Sequence, residues 1–152
     1  MIGHSGLPLI LTLAIGLLLG LGTYTFQFAK GLAYFSNDPA ACANCHIMND
    51  HLASWQKSSH HGEATCNDCH APAAALPKLI NKADNGWNHS LKFTLQNFAE
   101  PIRIRQINFE VVEANCVRCH LDLTHELRAS LGARQETRCT KCHSGVGHGP
   151  RR

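Results

Sequence analysis

All eight cysteines of this 152-residue chain lie in four copies of one pattern, in which two cysteines flank two other residues and a histidine follows directly. The copies are Cys42/Cys45-His46, Cys66/Cys69-His70, Cys116/Cys119-His120 and Cys139/Cys142-His143. This is the attachment sequence of c-type haem, in which both thiols bond to the porphyrin and the histidine reaches the iron. Zinc sites also use cysteine and histidine, but they do not need a histidine after the second cysteine four times over. The pattern therefore predicts four covalent haems and leaves no thiol for a disulfide.

Seven further histidines are available as second axial ligands: His4, His51, His60, His61, His89, His125 and His148. His148 follows the fourth motif by five residues, and His60 and His61 precede the second motif. The spacing favours His148 and one of His60 and His61 as ligands, without choosing within the pair. His51 and His125 also follow a motif by five residues, but they can equally be surface groups.

An uncharged segment near the amino terminus is long enough to cross a membrane. Residues 5–29 contain no charged side chain, and as a helix these 25 positions would reach about 37 Å, against a hydrocarbon core of about 30 Å. The run exceeds the ~7–15 apolar residues of a secretory signal. The sequence predicts a short tail over residues 1–6, an uncleaved transmembrane helix over 7–33 and an exported domain over 34–152. Since haem is attached covalently outside the bacterial cytoplasm, we expect this domain to face the periplasm from a single-pass anchor in the cytoplasmic membrane.

The exported part has too few residues to build an ordinary core around each haem. About 117 residues would have to hold four haems. We therefore expect a compact, mainly α-helical tetrahaem domain with little regular structure, in which the haems themselves are the core. Apolar stretches predict helices over 71–84, 87–98 and 107–114. The long insert 71–115, between the second and third motifs, is the first place to look for substrate or membrane contact.

The net charge of the chain does not favour nucleic acid as a partner. Fourteen basic and eleven acidic residues give 14 − 11 = +3. Each ferric haem adds about +1 from iron and porphyrin and −2 from its propionates, so four haems bring the total to roughly −1. We therefore expect membrane lipid and other proteins as partners, and no nucleic acid.

An anchor helix followed by four such motifs resembles the NapC/NrfH group of membrane quinol dehydrogenases, and within it the NrfH branch, the small subunits of cytochrome c nitrite reductases. The stretches that carry the resemblance are residues 45–48, 58–60, 66–72 and 112–116, and it extends from about residue 7 to residue 148.

The resemblance implies roles for residues around the first haem. Spacing alone would let Met48 merely pack against the porphyrin, whereas the resemblance implies that Met48 ligates the first iron and displaces His46. A quinol pocket would lie beside this haem, near the membrane, with Lys82 at the position of the family lysine. The family has an acidic residue where this chain has His89, which would then be a sixth ligand to the first haem or a proton acceptor. Asp84 is a nearby alternative base.

The resemblance also implies the remaining ligands. A histidine before the second motif would ligate the fourth haem, which points to His60, or to His61 one position later. His148 would ligate the third haem. The second haem can take its distal ligand from a lysine of the partner subunit.

The implied function is oxidation of menaquinol and transfer of its electrons to a periplasmic multihaem reductase. The expected partner is cytochrome c nitrite reductase, which forms ammonium from nitrite. The two would be subunits of a larger hetero-oligomer. Three alternatives stay open at this point. The chain could reduce quinone with electrons from hydroxylamine oxidation, could feed another periplasmic reductase, or could be a tethered electron carrier without a quinone site.

Overall fold

The computed structural model describes residues 6–131 and 138–149, so most of the expected amino-terminal tail lies outside the described residues. The chain divides into two compact units, one ending at Ser36 and the other beginning at Asn37. In the first unit, helix α1 spans Gly6–Phe28, has a mean hydropathy of 2.0 and buries none of its side chains. Its 23 residues give a length of about 35 Å, which suffices to cross a bilayer.

Helix α1 ends earlier than the expected boundary at residue 33. Lys30 adopts a left-handed backbone conformation with φ of 51°, which stops the α-helix, and Gly31–Phe35 then form a 3₁₀ turn. The α-helix therefore ends five residues before the expected boundary of the anchor, at the end of the uncharged run.

The second unit consists of short helices and one long one, and no strand occurs among the described residues. The helices are α2 (Pro39–Cys42), α3 (Asn49–Trp55), α4 (Cys66–His70), α5 (Ala75–Leu95), α6 (Gln106–Cys119), α7 (Leu121–Leu131) and α8 (Cys139–Cys142), with a 3₁₀ turn at His46–Met48. The expectation of a mainly α-helical domain is confirmed, and the helices are longer and more regular than the sequence suggested.

This unit has almost no hydrophobic core of its own. Among the described residues only Ala71, Lys82, Asn85 and Asn115 are buried, and no large side chain is fully buried. A folded domain of this size normally buries many apolar side chains in mutual contact. The polypeptide alone therefore supplies little of the apolar packing that a domain of this size needs, in line with the small number of residues per haem.

The two helices expected over 71–84 and 87–98 are one continuous helix, α5, and the expected break was wrong. A glycine such as Gly86 costs a helix only about 1 kcal/mol. The cost is offset by tertiary hydrogen bonds directly beside it, since the side chains of Asn85 and Asn108 exchange two bonds of 2.6 and 3.2 Å between α5 and α6. Helix α6 is also longer than the expected 107–114 and carries both cysteines of the third motif.

Candidate functional site

The four cysteine motifs follow one another in space in the order of the sequence. The thiol of Cys66 forms a hydrogen bond with Cys42 that lowers the pKa of the Cys42 thiol to about 7. Burial raises the pKa of Cys69, with smaller contributions from Asp68 and from Cys119 of the third motif. Burial also raises the pKa of Cys116 to about 11, with a contribution from Cys139 of the fourth motif. Each motif therefore neighbours the next, which is the arrangement that a chain of electron carriers requires.

Helix α6 holds the second motif in place through its side chains. The buried amide of Asn115 donates to the carbonyl oxygens of Cys69 at 3.0 Å and Ala71 at 2.9 Å. Arg118 donates from Nη2 to the carbonyl of Asp68 at 3.1 Å and from Nε to Asn115 at 3.1 Å. The end of α4 is thus fixed to the helix that carries the third motif.

The same helix also fixes the fourth motif. The carboxylate of Glu113 accepts hydrogen bonds from the backbone nitrogens of Cys139 at 2.7 Å and Thr140 at 3.1 Å, and from the Thr140 hydroxyl at 2.6 Å. Burial alone would raise the pKa of Glu113, but these bonds outweigh it and lower the pKa overall. From the sequence, Glu113 and Asn115 are noted only as part of residues 112–116, one of the stretches that carry the family resemblance. Their roles in holding the fourth and second motifs are missed.

Replacing Asn115 by Asp should loosen the second motif. The substitution keeps the shape of the side chain but turns both donated hydrogen bonds into contacts between oxygens, at a cost of about 1–3 kcal/mol. We expect a lower thermal midpoint of the holoprotein, measured by the loss of its haem absorbance band on heating. Asn97→Asp, in the exposed loop after α5, is the control. Equal midpoints in the two variants would show that Asn115 does not hold the motif.

Two histidine pairs have the spacing of axial ligands on opposite sides of one metal. The ring centroids of His70 and His148 are 6.1 Å apart, and so are those of His60 and His120. Two imidazoles bonded at about 2 Å to opposite sides of an ion have centroids about 6 Å apart. Although the His70 side chain is partly accessible to solvent, desolvation by the surrounding chain, followed by the neighbouring His148 and His51, lowers its pKa.

These pairs differ from the assignment that the family resemblance implied. The resemblance assigned His148 to the third haem and His60 or His61 to the fourth, whereas the ring of His148 lies nearest that of His70 among the motif histidines and the ring of His60 lies near that of His120; the assignment to haems stays a prediction. The carboxy-terminal turn runs past the loop before the second motif and brings the Val146 carbonyl to 3.3 Å from His60 Nδ1.

The structure distinguishes His60 from His61, which the sequence did not. The Val146 carbonyl can only accept, so Nδ1 of His60 carries its proton in this contact and Nε2 keeps its lone pair for a metal. His61 instead packs against Trp55, with ring centroids 4.6 Å apart, and is exposed. We therefore favour His60 as the ligand.

His60→Ala should convert one haem from six to five ligands, because it removes an imidazole opposite His120. The expected result is a new high-spin signal in the electron paramagnetic resonance spectrum, with haem content unchanged. His61→Ala is the matched control and should leave the low-spin spectrum intact. A high-spin signal in the His61 variant alone would reverse the assignment.

The structure places the other expected ligands as follows. Within the described part of the chain, none of them has a second histidine ring about 6 Å away that would support a role as an axial ligand. His46 and Met48 lie on one 3₁₀ turn, directly after Cys45. His51 is half-buried, with its ring 4.9 Å from that of His148. His125 lies exposed on α7. His143 ends the fourth motif at the cap of α8.

Lys82 and His89 lie on one face of α5, and Lys82 lies near the first motif. They are seven residues apart, which is two helical turns and about 10 Å along the axis. Lys82 is 8% exposed, and its pKa is lowered by burial and then by Lys78. Its ammonium lies near enough to Cys42 to help lower the pKa of that thiol. His89 has its pKa lowered by partial burial and then by Arg105, so its ring is neutral at physiological pH.

Asp84 lies on a different side of α5 from these two residues. Residues two apart in the sequence of an α-helix are rotated by about 200° around its axis, so Asp84 and Lys82 point in nearly opposite directions. The Asp84 carboxylate forms an ion pair with Arg105, whose Nη2 also donates to Asn85 Oδ1 at 2.8 Å. Asp84 is therefore engaged in holding Arg105 and is not brought together with Lys82 and His89.

The residues present fit covalently bound haem. No disulfide joins any of the eight cysteines, each motif has both thiols and a histidine at its end, and two histidine pairs have metal-spanning distances. This combination is what a multihaem c-type cytochrome requires.

The chain belongs to the NapC/NirT cytochrome c family, whose amino-terminal region model matches residues 4–151. It is 40% identical over 142 residues to cytochrome c-type protein NrfH of Wolinella succinogenes, covering 86% of this chain and 80% of the relative. It is 37% identical over 146 residues to cytochrome c nitrite reductase subunit NrfH of Nitratidesulfovibrio vulgaris, covering 96% and 86%. A solved structure of the cytochrome c nitrite reductase NrfHA complex bound to the inhibitor HQNO matches with a TM-score of 0.65 and 34% identity over 92% of this chain and 90% of that one.

Proposed function

We propose that this chain is a membrane-anchored tetrahaem quinol dehydrogenase that oxidises menaquinol and passes the electrons to a periplasmic cytochrome c nitrite reductase. The observation that carries the proposal is the 40% and 37% identity, over most of both chains, to two NrfH proteins. The likeness to a chain of the NrfHA complex supports a nitrite reductase subunit as the partner. The membrane helix α1 supports a lipid-soluble substrate.

The proposed haem ligands follow from the motifs and the ring distances. The eight cysteines hold four haems as thioethers, and His70, His120 and His143 are proximal ligands. Met48 takes that role at the first haem in place of His46, as in the family. His60 and His148 are distal ligands, and a lysine of the partner subunit can complete the coordination.

The proposed quinol chemistry uses Lys82 and His89. Oxidation of one quinol releases two electrons and two protons. The Lys82 ammonium donates a hydrogen bond to a quinol oxygen and stabilises the negative charge that forms there as the proton leaves. A neutral ring nitrogen of His89 accepts the two protons one after the other and releases each to solvent, to which His89 is exposed; its ordinary pKa near 6.5, lowered here, suits this transfer. When bound, the haems supply carriers that take the electrons one at a time.

Asp84 has a supporting part in this proposal. Its ion pair with Arg105 holds the guanidinium beside Asn85, one turn before His89. The positive charge of Arg105 in turn favours the neutral, proton-accepting form of His89. This leaves His89 as the better-placed base.

Gentle purification from native membranes tests the partner. We expect a multihaem nitrite reductase to co-purify with this chain, and the isolated complex to reduce nitrite to ammonium with menaquinol as the donor. Co-purification of a hydroxylamine-oxidising enzyme or of a different reductase would contradict the proposal. The subunits can be identified by mass spectrometry of the complex.

A further inference from the structure

Helix α5 exposes its apolar side. Leu76, Ile80 and Trp87 are 67%, 61% and 69% exposed. The other exposed apolar side chains on this helix are Leu79, Leu91 and Leu95. At 100° per residue these positions fall within an arc of about 160°, which also contains Ser90, Thr94 and, near its edge, Asp84, and they extend along about 28 Å of the helix. We call this surface the apolar face of α5.

The polar side of the same helix is the side that packs inwards. Lys82 and Asn85 are buried, and Asn81 and Asn85 both donate to Asn108 of α6 at 3.2 Å. This is the reverse of an amphipathic helix on a water-soluble protein, which turns its apolar stripe to the core. The apolar face therefore has another surface to contact.

The haem motifs do not account for this face. Lys82 lies beside Cys42 of the first motif, and the asparagines contact the helix that carries the third motif. Both contacts are on the polar side of α5, opposite the apolar face. Haems attached at these motifs would therefore lie towards the polar side.

We propose that the apolar face of α5 lies in the water–lipid boundary of the bilayer, with the helix parallel to the membrane surface. Interfacial helices have lysines on the polar face and Trp, Leu and Phe on the other, and sink the apolar side about 5–10 Å. Helix α5 carries three lysines against one acidic residue, Asp84, which pairs with Arg105; Lys82 is buried, but Lys78 and Lys92 are partly exposed and available to headgroups. The segment is thus positively charged and complementary to anionic lipid headgroups.

Because α5 is covalently connected to α1, even weak binding to lipid is sufficient to keep α5 at the membrane surface. Only 74 − 28 = 46 residues separate the end of α1 at Phe28 from the start of α5 at Ala75. A segment tethered to a membrane-crossing helix is held at high effective concentration near the lipid. The composition of the apolar face also favours lipid over a protein partner. The face consists of aliphatic side chains around one Trp, and it lacks Tyr and Arg, which are enriched in protein interfaces.

Site-specific photo-crosslinking in the complete, haem-loaded chain tests the proposal. Ile80 and Trp87 are replaced, one at a time, by p-benzoylphenylalanine, and the protein is placed in nanodiscs of phosphatidylethanolamine and phosphatidylglycerol. Leu123, which is 79% exposed on α7, receives the same group as the control. Haem content, checked by absorbance, shows that each variant has folded. After irradiation, mass spectrometry identifies what each position has captured.

We expect lipid adducts at positions 80 and 87 in at least about tenfold excess over position 123. Equal yields at all three positions would overturn the proposal, because lipid contact would then not depend on α5. Adducts of positions 80 and 87 with a co-purified protein subunit in place of lipid would also overturn it, and would identify the face as a protein interface. The proposal does not depend on quinol oxidation, since lipid capture is read without turnover.

Discussion

Replacing Lys82 by Met is expected to lower the rate of menaquinol oxidation about 100-fold while all four haems remain attached. Among the described residues Lys82 is the one buried side chain with a positive charge, so no other buried cation could take over its proposed hydrogen bond to the developing quinol anion. Removing one such donor from an enzyme typically costs about 10²–10³ in rate. Methionine keeps the length of the side chain, so α5 should stay in place. The measurement is quinol oxidation by the reconstituted complex with nitrite as the acceptor.

Lys78→Met is the matched control for this variant. Lys78 lies one turn earlier on the same helix, but its ammonium donates to Asn37 at 2.9 Å and is not buried. We expect its loss to change the rate less than about threefold, as for an exposed polar contact. If both variants oxidise menaquinol at the unaltered rate, Lys82 has no part in the reaction and the assignment of the quinol pocket to α5 fails.

Replacing Cys116 and Cys119 together by Ser should eliminate the folded domain and not just one haem. The chain has almost no core of its own, and the third motif lies on α6, whose Asn115 and Glu113 fix the second and fourth motifs. Without the third haem, α6 loses what packs against its end, and both neighbouring motifs lose their support. We expect little or no holoprotein in haem-stained gels of the membrane fraction, and rapid proteolysis of the chain.

Val117→Ala, between the same two cysteines, controls for disturbance of the motif. It keeps both thiols and removes only two methyl groups from a half-buried side chain, a cost of about 1 kcal/mol. This variant should accumulate with four haems. A stable chain carrying three haems in the double-serine variant would show that the polypeptide has an independent core, contrary to the structure.

The sequence predicts the covalent chemistry of this protein well because that chemistry is local. Each haem-attachment motif consists of five consecutive residues, and the membrane helix is predicted from one continuous uncharged segment. The absence of a protein core also follows from simple arithmetic on residues per haem. For the same reason the mainly α-helical fold could be expected without any long-range information.

Contacts between distant residues could not be predicted in this way. The bonds from Asn115 to Cys69 and Ala71 join residues 46 and 44 positions apart, and no spacing rule indicates them. The continuity of α5 depends on Asn108, which is 23 residues from Asn85. The choice of His60 over His61 depends on a carbonyl 86 residues away. Each of these is set by tertiary packing, which overrides local propensity.

The most direct test of the account is whether menaquinol reduces the haems of this chain. The purified protein in liposomes, oxidised at the start and without any partner subunit, is mixed with a reduced menaquinone analogue, and the haem absorbance is followed in a stopped-flow instrument. The account predicts haem reduction by the quinol that is slowed by HQNO, the inhibitor present in the related complex, and that is much slower in Lys82→Met. It would be contradicted if dithionite reduced all the haems while the quinol reduced none.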